Sequence, residues 1–207
     1  MPDILTNSTD VAAVVLAAGA SRRFGADKLL HPLTLHGVTL PLAAHSLLPW
    51  VETFTHITVV VKPAAEIFCR ALETALGTTN AAKISWLVCE DADKGLASSL
   101  ICGVQANTRA AGWLIGLADM PAVPAIAISS VRNALLHDAE LAAPFCNGSR
   151  GHPVGFSAHY YNELLGLSGD TGAKRLLERD QNKIVQIVIE DAGILTDIDT
   201  SADLHAL

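Results

Sequence analysis

A loop between residues 16 and 28 combines small residues with basic ones, among them Arg23 and Lys28. Alanine and glycine let backbone N–H groups approach an anion closely, and successive N–H groups form a concave nest for phosphate. Arg23 offers a planar fork of donors, and Lys28 offers a mobile point charge. The loop therefore predicts a phosphate cradle, with these residues as its contacts: Leu16, Ala17, Ala18, Gly19, Ser21, Arg23, Gly25 and Lys28.

Spacing separates this loop from two common phosphate loops. The dinucleotide fingerprint G-x-G-x-x-G fails because Ser21 stands where its second glycine is required. The P-loop pattern G-x-x-x-x-G-K-[ST] fails because Gly25 is followed by Ala26-Asp27-Lys28-Leu29. The pattern that remains is L-A-A-G-x-S-x-R-[MF]-G-x-x-K, and an ordinary basic loop between a strand and a helix is the alternative interpretation.

Carboxylates at two places could hold a metal ion. Asp119 ends the apolar run 113–118, where it either caps the following helix or binds a cation. Near the C-terminus, Asp197 and Asp199 share a face if their segment is a strand. Either one could complete a metal site with Asp119, and Asp199 is preferred. Asp203 is expected to be structural, on a terminal helix.

Two basic side chains, Arg150 and His152, lie between glycines in the segment 147–156. Both types bind anionic phosphate well, and a solvated hairpin is the alternative. Asp170 follows Gly169 in a glycine-rich turn, where it either caps the next helix or orders the same pocket.

These residues need elements to position them. Apolar runs at 11–16, 57–61, 84–88, 113–118 and 184–189 predict buried parallel strands, with helical patterns between them at 40–50, 64–76, 96–109 and 124–137. This alternation predicts a single Rossmann-like α/β domain with a mostly parallel sheet and helices on both faces. Ligands in such sheets bind beyond the carboxyl ends of the strands. Residues 144–180 break the alternation and predict a lobe over one edge of the site.

The bulk composition limits the possible partners. A chain of 207 residues suits one domain, with residues 1–10 as a flexible tail and 11–207 as the folded unit. A net charge of −7 without a basic run argues against nucleic acid as a partner. No apolar run reaches the length of a membrane span, and the N-terminus lacks a basic leader, so the expected location is the cytoplasm. Four widely spaced cysteines are expected to be free thiols.

The loop pattern resembles the signature of the MobA-like nucleotidyltransferases, a family that includes the molybdenum cofactor enzymes. Four more segments are similar to its motifs, at 95–100, 116–121, 150–154 and 169–174, and the C-terminal D-I-D-T-x-x-D-L is a fifth. The pattern is most similar to the molybdenum cofactor cytidylyltransferases. The guanylyltransferase branch carries L-A-G-G where this chain has Ala18, which together with the R-G-H-P-V element favours CTP.

The resemblance implies a role for each group of residues. Arg23, Lys28 and Asp119 are implied to be catalytic, with Mg²⁺ on Asp119 and on Asp199 or Asp197. Residues 11–120 would mainly bind the nucleotide, and 144–180 mainly the acceptor. The implied base-reading residues are Gly95, Ser98 and Ser99, although either serine could instead cap a helix. The implied acceptor residues are Arg150, Gly151, His152, Pro153 and Asp170.

The implied reaction transfers CMP from CTP to the terminal phosphate of molybdenum cofactor (molybdopterin) and releases pyrophosphate. A molybdoenzyme or its chaperone would be the client. Two alternatives stay open at this point. One is cytidylyl, uridylyl or guanylyl transfer to another phosphorylated acceptor such as a sugar phosphate, and the other is a carrier that binds the cofactor without turnover.

Overall fold

The first apolar run forms strand β1 (Val11–Leu16), which is buried on both of its faces. Val11, Ala13 and Val15 pack into one apolar cluster, whereas Val14 and Leu16 pack into a second. Side chains alternate along a strand, so an uninterrupted apolar run requires cover on both sides. The computed structural model describes residues 10–19, 24 and 27–206 of the chain.

The described residues form strands and helices in the following order: β1, β2 (Pro32–Leu35), β3 (Val38–Pro41), α1 (Leu42–Thr53), β4 (Ile57–Val61), α2 (Glu66–Ala81), β5 (Ile84–Val88), α3 (Leu96–Ala106), β6 (Gly112–Leu117), α4 (Ala125–Leu136), β7 (Leu141–Cys146), β8 (Ser149–Arg150), β9 (Val154–Ser157), α5 (Tyr161–Leu165), α6 (Lys174–Arg179) and β10 (Ile184–Val188). Short 3₁₀ turns join several of them, including Lys28–Leu30, Ala92–Lys94 and Ala192–Leu195.

The main sheet has the strand order β10-β7-β9-β6-β1-β4-β5, and β8 pairs with β7. Strand β9 is antiparallel to both of its neighbours, β6 and β7, and β8 is antiparallel to β7. The other neighbouring strands of the main sheet are parallel. Strands β2 and β3 form a separate antiparallel hairpin. The carboxyl ends of β1, β4, β5 and β6 therefore meet at one edge of the sheet.

Helices cover both faces of this sheet. Residues of α1, α2 and α4 belong to one buried apolar cluster, and residues of α3, α5 and α6 belong to the other. This arrangement confirms the prediction of an α/β domain with a mostly parallel sheet between helical layers. No helix in the described part of the chain is long and apolar enough to span a membrane.

The predicted elements agree with the observed ones to within a few residues at most ends. The predicted helix at 40–50 begins later, at Leu42, because residues 38–41 pair with 32–35 in the hairpin that the sequence patterns did not indicate. Strands β7 and β9 were also not predicted, and they explain why residues 144–180 break the alternation. The segment of Asp197 and Asp199 is an irregular stretch without strand pairing.

Candidate functional site

A cleft of about 1120 Å³ opens at the carboxyl ends of β1, β4, β5 and β6. Most of its walls are the loops that follow these four strands, as expected for ligand sites in parallel sheets. The described residues that line it are Leu16, Ala17, Ala18, Gly19, Lys28, Leu29, Lys62, Pro63, Glu90, Ala92, Asp93, Lys94, Gly95, Leu96, Ser99, Leu117, Asp119, Asp170 and Asp199.

The loop after β1 forms one end of the cleft. Ala17 donates its backbone N–H to the Val60 carbonyl at 2.8 Å, which extends the β1–β4 pairing into the loop. Ala17 and Ala18 are buried, and Gly19 is exposed, with no atom of the described residues within 4 Å of a methyl group built on it. Three of the predicted phosphate contacts, Ser21, Arg23 and Gly25, lie outside the described residues.

Lys28 begins a 3₁₀ turn and is only 7% exposed. Its Nζ donates to Asp119 Oδ2 at 2.8 Å and to Asp199 Oδ1 at 3.4 Å. These three side chains come from positions far apart in the sequence. The structure therefore brings together three of the residues that the sequence singled out, with the ammonium in contact with both carboxylates.

Asp119 lies two residues beyond the end of β6. The backbone on both sides of it is anchored, because Ala118 N–H donates to the Leu16 carbonyl at 3.0 Å and the Asp119 carbonyl accepts from Ile198 N–H at 3.0 Å. Helix α4 begins later, at Ala125, so Asp119 does not cap it. Asp119 Oδ1 is buried and has no hydrogen-bond partner among the described residues.

The segment 196–203 brings the C-terminal carboxylates to Asp119. Ile198 is fully buried, whereas Asp197 is exposed and Asp199 is half-buried. Neighbouring atoms partly desolvate the Asp197 carboxyl and raise its pKa, and the charges of Asp199 and Asp119 raise it further. Three carboxylates are therefore close enough to influence one another.

Asp203 stabilises this segment from the other side, as a structural residue. Its Oδ2 accepts the backbone N–H of Asp199 at 2.9 Å and that of Thr200 at 2.6 Å. These hydrogen bonds hold the pKa of Asp203 below its usual value.

The donor set fits a divalent cation. Carboxylate oxygens are hard ligands, and Mg²⁺ needs few of them because water and phosphate oxygens complete its shell. The buried Asp119 Oδ1 without a partner is a donor of this kind. No three Asp, Glu, His or Cys side chains within the described ranges are already arranged as a metal cluster. The Lys28 ammonium contacts Asp119 and Asp199 and offsets part of their negative charge.

Helix α3 supplies another wall of the cleft. Gly95 precedes its first residue with a φ of +115°, a conformation that favours glycine. Ser98 and Ser99 lie inside the helix, so neither caps it. Ser99 is buried and lines the cleft, whereas Ser98 is absent from the described lining and accepts from the Cys89 thiol through its carbonyl.

The segment 150–153 lies beside the end of β6, because β9 runs antiparallel to β6 with Val154 opposite Ile115. His152 donates its backbone N–H to the Ile194 carbonyl at 2.9 Å. Burial lowers the pKa of its imidazole to about 4, although the negative charge of Asp119 acts to raise it. His152 is therefore neutral at neutral pH, and of this pair only Arg150 carries a charge. None of the residues 150–153 is in the described lining of the cleft.

Asp170 lies against the start of helix α3. A methyl group built on Gly95 would overlap Asp170 Oδ1 and would stand 2.7 Å from the Gly169 carbonyl oxygen. Asp170 does not cap α6, which begins at Lys174. It lines the cleft instead.

Four charged residues of the lining were missed by the sequence patterns: Lys62, Glu90, Asp93 and Lys94. Lys62 directly follows β4, and the other three lie in the short segment between β5 and α3. The rule that ligands bind beyond the carboxyl ends of strands would have found them, had it been applied to every strand.

Comparison with known proteins agrees with this architecture. Residues 13–184 match the model of a family described as the MobA-like NTP transferase domain. The purine catabolism protein PucB of Bacillus subtilis is 30% identical in an alignment of 209 positions that covers 90% of each chain.

Solved structures share the fold over nearly the whole chain. The crystal structure of Rv0371c from Mycobacterium tuberculosis has a TM-score of 0.78 and 26% identity, covering 96% of this chain and 97% of the other. A structure of Rv0371c in complex with manganese has a TM-score of 0.72 and 23% identity over the same shares of the chains. The 4-diphosphocytidyl-2C-methyl-D-erythritol synthase of Anaerococcus prevotii has a TM-score of 0.71 and 14% identity, covering 98% and 96%.

Proposed function

Because the chain belongs to the family of MobA-like NTP transferase domains, we propose that it transfers CMP from CTP to the terminal phosphate of molybdenum cofactor (molybdopterin). The products are the cytosine dinucleotide form of the cofactor and pyrophosphate. Membership of the family already makes the chain a nucleotidyltransferase that uses a nucleoside triphosphate. We propose in addition which base is used, which acceptor receives the nucleotide, and which residues bind each of them.

One observation carries the proposal. Lys28 joins Asp119 and Asp199 at one end of a cleft that the β1 loop and helix α3 also line. Phosphoryl chemistry needs positive charge beside the phosphates and carboxylates that hold a cation. This group of side chains supplies both in one place.

The reaction needs no covalent intermediate on the protein. An oxygen of the acceptor phosphate forms a bond to the α-phosphorus of CTP, and the bond between that phosphorus and the β-phosphate oxygen breaks. The attacking phosphate is already an anion, so no side chain has to remove a proton. The main barrier is the crowding of negative charge, which the site lowers by alignment and neutralisation.

The residues divide this work between them. Lys28 and Arg23 bind the triphosphate, and the backbone of 16–19 cradles it. Asp119, together with Asp199 or Asp197, holds a divalent cation, Mg²⁺ in this proposal, whose charge offsets that of the reacting phosphates when it is bound. The structure of Rv0371c in complex with manganese supports a role for a divalent cation.

The remaining residues select the substrates. Gly95, Ser98 and Ser99 form the element assigned to the base, within residues 11–120. Arg150, with Gly151, His152 and Pro153, forms the element assigned to the acceptor, within 144–180. The position of 150–153 beside the end of β6 supports this assignment, because the α-phosphate must meet the acceptor near Asp119.

Pyrophosphate release tests the proposal. The purified protein with Mg²⁺ is given CTP, GTP or UTP, each with and without molybdenum cofactor, and the dinucleotide product is identified by mass spectrometry. We expect release with CTP only when the cofactor is present. Release with GTP instead would reassign the base, and release with a sugar phosphate in place of the cofactor would reassign the acceptor. Tight cofactor binding without any release would identify a carrier.

A further inference from the structure

We propose that Asp170 binds the nucleoside part of the triphosphate, where its carboxylate accepts a hydrogen bond from the base or the ribose. This inference rests on the proposed function in that a nucleotide occupies the cleft. It moves Asp170 from the acceptor pocket, which the sequence resemblance implied, to the opposite substrate. The contacts of the loop 169–172 carry it.

The loop 169–172 packs on the start of helix α3. The Gly169 carbonyl accepts the backbone N–H of Ala97 at 3.1 Å. A methyl group built on Gly172 would stand 3.0 Å from Leu96 Cδ2, which places that turn in contact with the same end of the helix. The loop is therefore anchored to the wall that is assigned to the base.

The Asp170 carboxylate itself lies over Gly95. The space for a side chain at Gly95 is filled by Asp170 Oδ1 and by the Gly169 carbonyl oxygen. Gly95 has a φ of +115°, so both its conformation and its neighbours require glycine there. The glycine at position 95 therefore allows the Asp170 carboxylate to lie close to the backbone of this wall.

Among the described residues, no hydrogen bond or ion pair of the Asp170 side chain explains its position. Its side chain makes no hydrogen bond and no ion pair to any of the described residues, and the residue is exposed and lines the cleft. The acceptor element makes different contacts, because His152 is bonded to Ile194 and lies in the field of Asp119. The loop 169–172 and the segment 150–153 therefore pack on different parts of the protein.

Charge decides which ligand group Asp170 can meet. An ionised carboxylate only accepts hydrogen bonds, and it repels phosphate. The triphosphate and the terminal phosphate of the acceptor are both anions, so neither is a favourable partner. The nucleoside offers donors, namely an exocyclic amino group on cytosine and the ribose hydroxyls.

The test measures nucleotide affinity without the acceptor. CTP with Mg²⁺ is titrated calorimetrically into the wild type, Asp170→Ala and Asp170→Asn. Loss of a hydrogen bond to a charged group predicts about 10- to 100-fold weaker binding by Asp170→Ala. Asp170→Asn keeps an accepting oxygen and is expected to lose less, which also provides a measurement if the alanine variant fails to fold. Glu178→Gln is the matched control, since this exposed carboxylate pairs with Lys174 outside the described lining of the cleft.

Further nucleotides identify the donor. If the amino group is the partner, Asp170→Ala weakens CTP and 2′-deoxy-CTP but leaves UTP unchanged. If the 2′-hydroxyl is the partner, it weakens CTP and UTP but leaves 2′-deoxy-CTP unchanged. Equal loss for all three nucleotides identifies the 3′-hydroxyl as the partner only if 3′-deoxy-CTP binds equally well to the wild type and to Asp170→Ala. Loss for 3′-deoxy-CTP as well would indicate a general disturbance of the wall and would overturn the inference.

The inference and the proposed function fail in different ways. Unchanged CTP affinity in Asp170→Ala, with a raised KM for the acceptor, would return Asp170 to the acceptor pocket and leave the proposed function intact. Binding of another triphosphate in place of CTP by the wild type would overturn the proposed function. The same titration with that triphosphate and its deoxy form would still test Asp170.

Discussion

Residues 11–120 and residues 121–206 place their site residues in different ways. In the first region, strands β1, β4, β5 and β6 are parallel, and each functional loop directly follows its own strand. In the second region, β9 runs antiparallel between β6 and β7, and the site residues lie on loops held by distant contacts. Asp199 is brought to Asp119 by the bond from Ile198 N–H, and Asp170 is held by α3.

The two regions therefore differ in how they form the site. The strands of the first region position their own loops, whereas the loops of the second region must pack against the first. A parallel sheet with short loops positions a phosphate site from local geometry, because all strands end at the same edge. The second region has to be packed against that edge before its residues are in place. We therefore expect substitutions in the first region to affect the chemistry directly, and those in the second to act through position or through one substrate.

The largest effect is expected in the first region, from Lys28→Ala. This change removes the cation that contacts Asp119 and Asp199, and with it a charge beside the reacting phosphates. Turnover is expected to fall by about 10²- to 10³-fold or more, as for the loss of other groups that stabilise charge in a transition state. Pyrophosphate release measures it, and circular dichroism checks the fold. Arg70→Ala, an exposed cation on α2, is the control, and near-wild-type turnover of the Lys28 variant would contradict the site assignment.

Arg150→Ala tests the second region through one substrate. The charge of Arg150 is assigned to the acceptor phosphate, so its removal is expected to raise the KM for the acceptor by about 10- to 100-fold. The affinity for CTP should stay within about twofold, because the loops of the first region are intact. An equal loss of affinity for CTP would show that the two regions do not divide the substrates as proposed.

Gly193→Ala tests how the second region is fitted to the first. A methyl group on Gly193 would overlap the Ala122 carbonyl oxygen, and the neighbouring Ile194 carbonyl is packed against Gly151. Because backbone on both sides prevents an easy shift, we expect a loss of about 1–3 kcal/mol in the free energy of unfolding. Displacement of the segment that leads to Asp199 should lower turnover as well.

Urea unfolding and pyrophosphate release measure these two effects. Gly166→Ala is the control, since a methyl group there meets its nearest neighbours at 3.5 Å. A stable and fully active Gly193 variant would mean that the position of Asp199 does not depend on this packing.

The smallest effect is expected from Asp180, far from the chemistry. Its hydrogen bond from Arg179, with a second from Tyr160 at 2.9 Å, lowers the pKa of Asp180 to about 2. A carboxyl whose pKa is lowered by folding stabilises the folded state above its ordinary pKa, and this stabilisation is lost as the pH falls towards the folded value. The stability gap between wild type and Asp180→Asn should therefore shrink between about pH 4 and pH 2. Urea midpoints across that range measure it, and a constant gap would refute the linkage.

The strands of the first region were also easier to predict from the sequence than those of the second. Strands β1, β4 and β5 were predicted residue for residue, because each is a mostly apolar run of five or six residues rich in strand-forming side chains. The interior of β7 contains Pro144 and alanines, and β9 has only four residues, so neither shows a strand pattern. The hairpin of β2 and β3 was missed because its burial pattern is mixed.

The candidate site shows the limit of sequence patterns more sharply. Lys28 and Asp119 each follow a predicted strand of the same sheet, and the structure places their side chains in contact. Asp199 was preferred over Asp197. Asp199 pairs with Lys28 and lines the cleft, whereas Asp197 is absent from the described lining. Burial makes His152 neutral, which no sequence pattern indicates, since desolvation depends on what surrounds the ring.

The sequence by itself determined the parallel sheet, the end of the sheet that carries the site, and the family to which the chain belongs. These follow from local hydrophobic patterns and from motifs whose residues are close together in the chain. Only the tertiary structure decided that Lys28 contacts two carboxylates, that His152 is buried beside Asp119, and that Asp170 lies over Gly95. Each of these depends on packing between segments distant in sequence, and neither composition nor spacing encodes the distance between two atoms that only folding brings together.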